Sequence, residues 1–262
     1  MEQTPRLEVR DVSKQFGAIT ALAGVSFHVN PGETLALLGD NGAGKSTLIK
    51  GLSGLYPFDG GEMLVDGVPQ VFRSPSDARN LGVETVFQDL AVFDNMNPVA
   101  NMYIGREIAS PKWLGSLGWL DRKAMTNATR VNLENLKVHV PSLQSQLGVM
   151  SGGQRQALAC ARSMAFASKL VILDEPTAAL GLRESDRVLQ TVRKLPSTGA
   201  AVILISHNLD EVLAVADRAV VLRQGRRVGE VKVAPENKEK IVSLIVSGGE
   251  EEGLIKSSGV KA

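Results

Sequence analysis

Residues 39–47 read GDNGAGKST, directly after the apolar stretch ETLALL and at the head of KSTLIKGLSGL. Gly39, Gly44, Lys45 and Ser46 stand at the spacing of a phosphate-binding loop. Backbone N–H groups in such a loop wrap an anion, the lysine reaches the β and γ phosphates of a nucleotide, and the serine hydroxyl binds Mg²⁺. The loop needs a buried strand before it and a helix after it. Residues 33–38 supply the strand, and Leu48, Ile49, Leu52 and Leu55 fall at helical spacing. Gly39, Asp40, Asn41, Gly42, Ala43, Gly44, Lys45, Ser46 and Thr47 together form the candidate phosphate site. The chain is therefore expected to be α/β.

The rest of the chain extends that expectation. KLVILDEP and AAVILIS are continuous apolar runs, as in parallel strands buried on both faces, with amphipathic LRESDRVLQTVRKL between them as a β-α-β unit. RLEVRDVSKQF, AGVSFHV and GGEMLVDGVPQ read as strands, the last a hairpin turning at Asp66-Gly67. AVVLRQGRRVGEV is a second hairpin, turning at Gln224-Gly225, and GVETVFQ is a further strand. Residues 89–166 read as an inserted helical subdomain. Pro98 sits in the first turn of one helix. Asp121 caps another, with Ala124, Ala128, Val131 and Leu136 on one side, and SPKWLGSLGWL between them is irregular. The expected organisation is one domain over 1–247, with a core of 1–88 and 167–247 and a flexible polar tail at 248–262.

Net charge is +1 and aromatic residues make up 4%, which gives no footprint for nucleic acid. The one cysteine, Cys160, reads as a small apolar residue on the buried face of a helix. The apolar runs are strand-sized and the start has no signal-peptide core, so a cytoplasmic protein is expected unless a partner holds it at a membrane.

Two carboxylates end the run LVILDEP. Asp174 is placed to hold Mg²⁺, partly through water, and Glu175 to polarise an attacking water. His207 ends AVILISH, where ligands of parallel sheets gather, and could donate to a γ-phosphate. Gln88 ends TVFQ, where an amide can touch Mg²⁺ or water. His28 and His139 read as structural. In GVMSGGQRQALACAR, Ser151 is a helix N-cap and Gly152 and Gly153 suit the mouth of that helix, which makes a second anion site.

These pieces, in this order, resemble ABC-type ATPases, the nucleotide-binding subunits of ABC transporters, over residues 6–247. The resemblance implies the ABC-type P-loop core, mostly parallel with an antiparallel β subdomain and an inserted helical subdomain. It implies ATP and Mg²⁺ as cofactors and stacking of Phe16 on adenine, with Gln88 as the Q-loop glutamine that senses which nucleotide is bound and His207 as the switch histidine. MSGGQ matches the family signature, so Ser151, Gly152, Gly153 and Gln154 would close over the nucleotide of a second ATPase subunit, in a homodimer or with a near relative. Gly181 departs from the family's aspartate at that position, and a glycine there would allow a positive φ. LLGDNGAGKSTLIKGLSGLYPFDGGEMLVDG and GVETVFQDLAVFDNMNPVANMYIGRE are similar to the cassettes of bacterial monosaccharide importers for ribose, xylose and fructose. The single cassette is most like the fructose type. That implies permease partners, a periplasmic sugar-binding protein that acts indirectly, and a place on the cytoplasmic face of the inner membrane. A chromosome-type ABC ATPase would carry a long coiled coil, and none is present. A non-catalytic module is disfavoured by intact Lys45, Asp174, Glu175 and His207.

Overall fold

The computed structural model describes residues 3–87, 92–110, 118–135, 138–178 and 180–248. Its strands are β1 (Leu7–Phe16), β2 (Ile19–Val29), β3 (Thr34–Leu38), β4 (Gly60–Val65), β5 (Val68–Gln70), β6 (Val83–Val86), β7 (Ala109–Ser110), β8 (Trp119–Leu120), β9 (Leu170–Asp174), β10 (Ala201–Ile205), β11 (Arg218–Arg223) and β12 (Arg226–Lys232). Its helices are α1 (Lys45–Leu52), α2 (Pro75–Asn80), α3 (Pro98–Tyr103), α4 (Arg122–Asn135), α5 (Gly152–Phe166), α6 (Leu182–Val192), α7 (Leu209–Val215) and α8 (Lys238–Ser247). Two compact units emerge. The first holds the described residues of Met1–Thr85, Ala167–Glu175 and Val192–Ala262; the second holds those of Val86–Phe166 and Pro176–Thr191.

The first unit is built on a six-stranded sheet in the order β12-β11-β3-β10-β9-β6. β3 runs parallel to β10 and β11, and β10 runs parallel to β9. Every residue of β3 and β10 is buried, because a parallel strand covered on both faces can carry apolar side chains in both directions. One cluster packs Ala36, Leu38, Ala219 and Val221 against Val212, Ile241 and Leu244 of α7 and α8. A second, antiparallel sheet has the order β2-β1-β4-β5. Both expected hairpin turns are present with both turn residues left-handed: Asp66 at φ 51 and Gly67 at φ 76, Gln224 at φ 48 and Gly225 at φ 74. Such turns match the twist of the strands that they join.

Leu55 does not extend α1. The helix stops at Leu52 because Gly54 turns left-handed at φ 76. Its N–H bonds the Gly51 carbonyl, and the Leu55 N–H bonds that of Lys50, a Schellman closure that leaves Leu55 exposed.

In the second unit, Asn97 caps α3 ahead of Pro98, and Asp121 accepts the Ala124 N–H at 2.9 Å, as expected for a cap. The buried face of α4 is Met125, Thr129 and Leu133, not the side with Ala124 and Val131; Val131 is 52% exposed, and Leu136 lies outside the described residues. Met125 and Leu133 join Met102, Tyr103, Leu147 and Leu158 in the core. The expected irregular segment begins and ends in the short pair β7–β8; residues 111–117 lie outside the described residues. Pro176–Thr191, read from sequence with the core, groups with the second unit. The buried Gln156 amide and Cys160 thiol of α5 both donate to the Pro176 carbonyl. Burial pushes that thiol up to about 12, so it packs as an inert apolar group. Of the expected tail, 248–262, only Gly248 is described, where it caps α8; 249–262 lie outside the described residues.

Candidate nucleotide site

Strand order brings the chemistry together. β3, β10 and β9 are parallel neighbours, so the segments leaving their carboxyl ends lie side by side. Those segments are the phosphate loop, Ser206-His207, and Glu175 beyond Asp174. Ligands of open α/β sheets bind at this edge.

Glycine is required twice in the loop. At Gly39, with φ 146, a β-carbon would lie 2.3 Å from the Leu222 carbonyl oxygen. At Gly44, with φ 104, it would lie 2.9 Å from that of Ala21. Gly44 starts α1 with no side-chain cap and no acid in the first turn. The first bond of the helix runs from the Leu48 N–H to the Gly44 carbonyl, so the N–H groups of Lys45, Ser46 and Thr47 precede the ladder and point where an anion is favoured. The Lys45 ammonium donates to the carbonyls of Gly39 at 2.6 Å and Asp40 at 3.0 Å. Burial pulls its pKa below the usual lysine value, against the opposing charges of Glu175, Asp174 and Asp40.

Glu175 leaves β9 in the left-handed region at φ 50, its N–H bonded to the Ile205 carbonyl at 2.9 Å. That conformation costs a non-glycine residue about 1–2 kcal/mol and tends to occur at functional sites. Its carboxylate lies 3.4 Å from His207 Nδ1, with the glutamate side chain 22% exposed and the imidazole 74% exposed. A turn that sequence reasoning missed presents His207. The Ser206 hydroxyl donates to Glu211 and accepts the Asn208 N–H, and Asn208 caps α7. The spacing of Ser206, Asn208 and Glu211 was the available signal.

Phe16 ends β1 with 46% of its surface exposed. It meets Tyr56 edge to face, with centroids 5.4 Å apart and planes at 80°. The Lys14 ammonium lies 5.7 Å from the Phe16 centroid and 5.1 Å from that of Tyr56. Lys14 carries no sequence signal beyond its place two residues before Phe16, and Tyr56 none beyond its place nine residues after Thr47.

In the second unit Ser151 and Gln154 cap α5 reciprocally. The Gln154 N–H bonds Ser151 Oγ at 3.2 Å, and the Ser151 N–H bonds the Gln154 amide oxygen at 3.0 Å. A β-carbon on Gly152 would touch nothing, so the mouth of the helix is open. Ser151, Gly153 and Gln154 line a cavity of about 370 Å³ with Cys160, Glu184 and Arg187. Gly181 is not in the left-handed region, contrary to the expectation for its glycine. A β-carbon there would lie 2.8 Å from Glu184 Oε2, so the carboxylate fills the space of the absent side chain. Gln88 lies outside the described residues.

The donors fit Mg²⁺. Ser46 and Asp174 supply hard oxygens, and this ion is usually held by one or two protein groups plus phosphates. Among the described residues no group of three or more His, Cys, Asp or Glu gathers to cage a metal. Anion-wrapping backbone, an acid pair at a strand end and a histidine within reach place the chain among the P-loop nucleoside triphosphatases. The family model "ABC transporter" matches residues 22–178. The chain is similar to the xylose/arabinose import ATP-binding protein of Sulfolobus acidocaldarius, 42% identical over 92% of this chain and 94% of that one. It is 46% identical to the fructose import ATP-binding protein of Rhizobium meliloti, over 87% and 88% of the two chains. A ribose import ATP-binding protein of Rubrobacter xylanophilus is 40% identical, but this chain spans only 48% of its length. Among solved structures, a nucleotide-free ATP-binding cassette from an ABC transporter matches with a TM-score of 0.79 at 25% identity, over 93% of this chain and 98% of that one. The chain belongs to the ABC transporter family, as an ATP-hydrolysing cassette coupled to transport.

Proposed function

We propose that this chain powers the import of a monosaccharide, fructose first among the candidates, through a membrane permease. The observation that carries the catalytic reading is the convergence of the phosphate loop, Asp174-Glu175 and His207 on adjacent ends of parallel strands. Phe16 stacks on the adenine of ATP. The loop N–H groups and Lys45 hold the phosphates. Ser46 and Asp174 would hold Mg²⁺, with Gln88 a further expected ligand, and the ion when bound would neutralise developing phosphate charge. Glu175 takes the proton of the attacking water, and His207 donates to the γ-phosphate.

The start of α5, Ser151 to Gln154, serves the nucleotide of a second copy of the chain. Its open, capped mouth supports this, as does the presence of one phosphate loop, 39–47, and one such helix start, 151–154, in the sequence. ATP closes the homodimer and hydrolysis reopens it, and the helical subdomain at 89–166 passes the movement to permease subunits. The chain sits peripherally on the cytoplasmic face of the inner membrane, and the sugar meets the permease and a periplasmic binding protein. No helix among the described residues is long and apolar enough to cross a membrane, which supports a peripheral role. A second reading, import of xylose or arabinose, rests on the fuller coverage of the Sulfolobus relative; ribose is a third sugar to test.

The test is uptake of labelled fructose, xylose and ribose after deletion of the gene. Loss of fructose uptake is expected. Loss of xylose uptake alone selects the second reading, and loss of ribose alone points to that sugar. Normal uptake of all three overturns the sugar assignment.

A further inference from the structure

We propose that Tyr56 is a positioning residue for the nucleobase: it orients the Phe16 ring through an edge-to-face contact and ties that ring to the first turn of the phosphate-loop helix. The inference rests on the reading of Phe16 as the adenine platform.

Phe16 lies at the tip of a hairpin, beside Gly17 at φ 58, with nearly half of its surface open. An aromatic ring so placed has little backbone to orient it. Tyr56 supplies the missing constraint with an edge-to-face contact, the geometry favoured by opposed ring quadrupoles. The far end of Tyr56 is anchored in turn. Its hydroxyl donates to the Thr47 carbonyl at 3.0 Å, two residues beyond Lys45. Burial raises the Tyr56 pKa above the usual phenol value, against the lowering effect of the Thr47 hydrogen bond, so the hydroxyl keeps the proton that it donates.

Lys14 braces the same pair. Its ammonium donates to the Pro57 carbonyl at 2.9 Å and to Asp59 at 2.7 Å, and Asp59 also accepts the Gln15 N–H at 2.7 Å. The cation is thereby fixed near both rings. The chain Phe16–Tyr56–Thr47 thus links the base-stacking ring to the helix whose first residue, Lys45, holds the phosphates. Its effect is to fix the distance and angle between a stacked base and the bound phosphates.

The role predicts a split between ligands. Binding of Mg-ATP and of inorganic tripolyphosphate, which has phosphates but no base, is measured by calorimetry on the full chain. The variants are Tyr56→Leu, Tyr56→Phe, Phe16→Ala and the double variant Phe16→Ala/Tyr56→Leu. Tyr56→Leu should weaken ATP about three- to tenfold, the scale of one aromatic pair, and leave tripolyphosphate within twofold. Tyr56→Phe keeps the ring but loses the bond to the Thr47 carbonyl, so it should recover part of that loss and retain a deficit of about twofold for ATP alone. In the Phe16→Ala background, Tyr56→Leu should add nothing. Equal weakening of both ligands would make Tyr56 a support of the phosphate helix only and overturn the proposal, as would full additivity with Phe16→Ala. If Phe16→Ala weakens ATP and the Tyr56 variants do not, the proposal fails and the platform stands. If Phe16→Ala itself leaves ATP affinity unchanged, the platform reading fails. Should Tyr56→Leu not fold, Tyr56→Phe decides alone, and an ATP affinity equal to that of the unmodified chain overturns the proposal.

Discussion

Glu175→Gln tests the catalytic reading most directly. Glutamine keeps the length and shape of the side chain and the hydrogen-bond reach toward His207, now 3.4 Å from the carboxylate. It also leaves the left-handed backbone in place, so the strain at φ 50 is unchanged and the melting temperature should hold within about 2 °C. What is lost is the basic lone pair that takes a proton from water. A positioned general base contributes about 10²–10⁴-fold, roughly 3–5 kcal/mol of barrier. Removing the negative charge eases the approach of phosphate to Lys45, so ATP affinity should be equal or tighter. Glu175→Asp separates position from charge. It keeps the acid but withdraws it by one carbon–carbon bond, about 1.5 Å, more than the slack in a hydrogen bond to an attacking water. It should therefore lose most of the rate too. The assay is steady-state phosphate release at saturating ATP, with calorimetric binding and thermal melts beside it. Turnover of Glu175→Gln within a few-fold of the unmodified protein would refute the assignment of Glu175 as base. Full activity in Glu175→Asp with none in Glu175→Gln would show that charge, not placement, is what matters.

Two further outcomes are expected. Asp66 accepts from Lys169 at 2.6 Å and from Arg6; burial opposes its ionisation, but the Lys169 hydrogen bond and the charges of Arg6 and Lys169 outweigh that and hold its carboxyl below the usual value. A lowered folded-state pKa gives stability that is complete above the unfolded value, about pH 4, and is lost as pH falls through the folded value. Asp66→Asn, which tolerates the left-handed turn, should therefore be less stable to urea at pH 7. The gap is about 1 kcal/mol or less, given that the side chain is 34% exposed, and it should close as pH falls through the folded-state value. A gap that persists at low pH would assign the loss to packing. For the signature, Lys45→Ala and Ser151→Arg chains with different tags are co-expressed in a Glu175→Gln background. Doubly tagged dimers should trap one ATP, because both lesions fall on one site; dimers that trap none would place Ser151 in its own chain's site.

Local chemistry made much of this protein legible in its sequence. The phosphate loop is recognisable because only glycine tolerates φ 146 at residue 39 and φ 104 at residue 44 with carbonyls closing in. The hairpins at Asp66-Gly67 and Gln224-Gly225 follow from which residues enter the left-handed region. The buried strands follow from unbroken apolar runs, and the caps of α3, α4 and α5 from a polar residue that meets orphan N–H groups. Each of these depends on a few neighbouring residues. The face of α4 does not: Met125, Thr129 and Leu133 turned inward because the rest of the second unit's core lay on that side. Nor does the grouping of Pro176–Thr191, set by two α5 side chains that reach one carbonyl. The site itself is a tertiary product. Residues 39–47, 174–175 and 207 become neighbours only because β10 inserts between β3 and β9, and strand order is chosen by the burial of both sheet faces at once. The same holds for Phe16 and Tyr56. Tyr56 is an ordinary aromatic in sequence, and its edge-to-face geometry with Phe16 exists only once β1 and the segment after α1 are packed together.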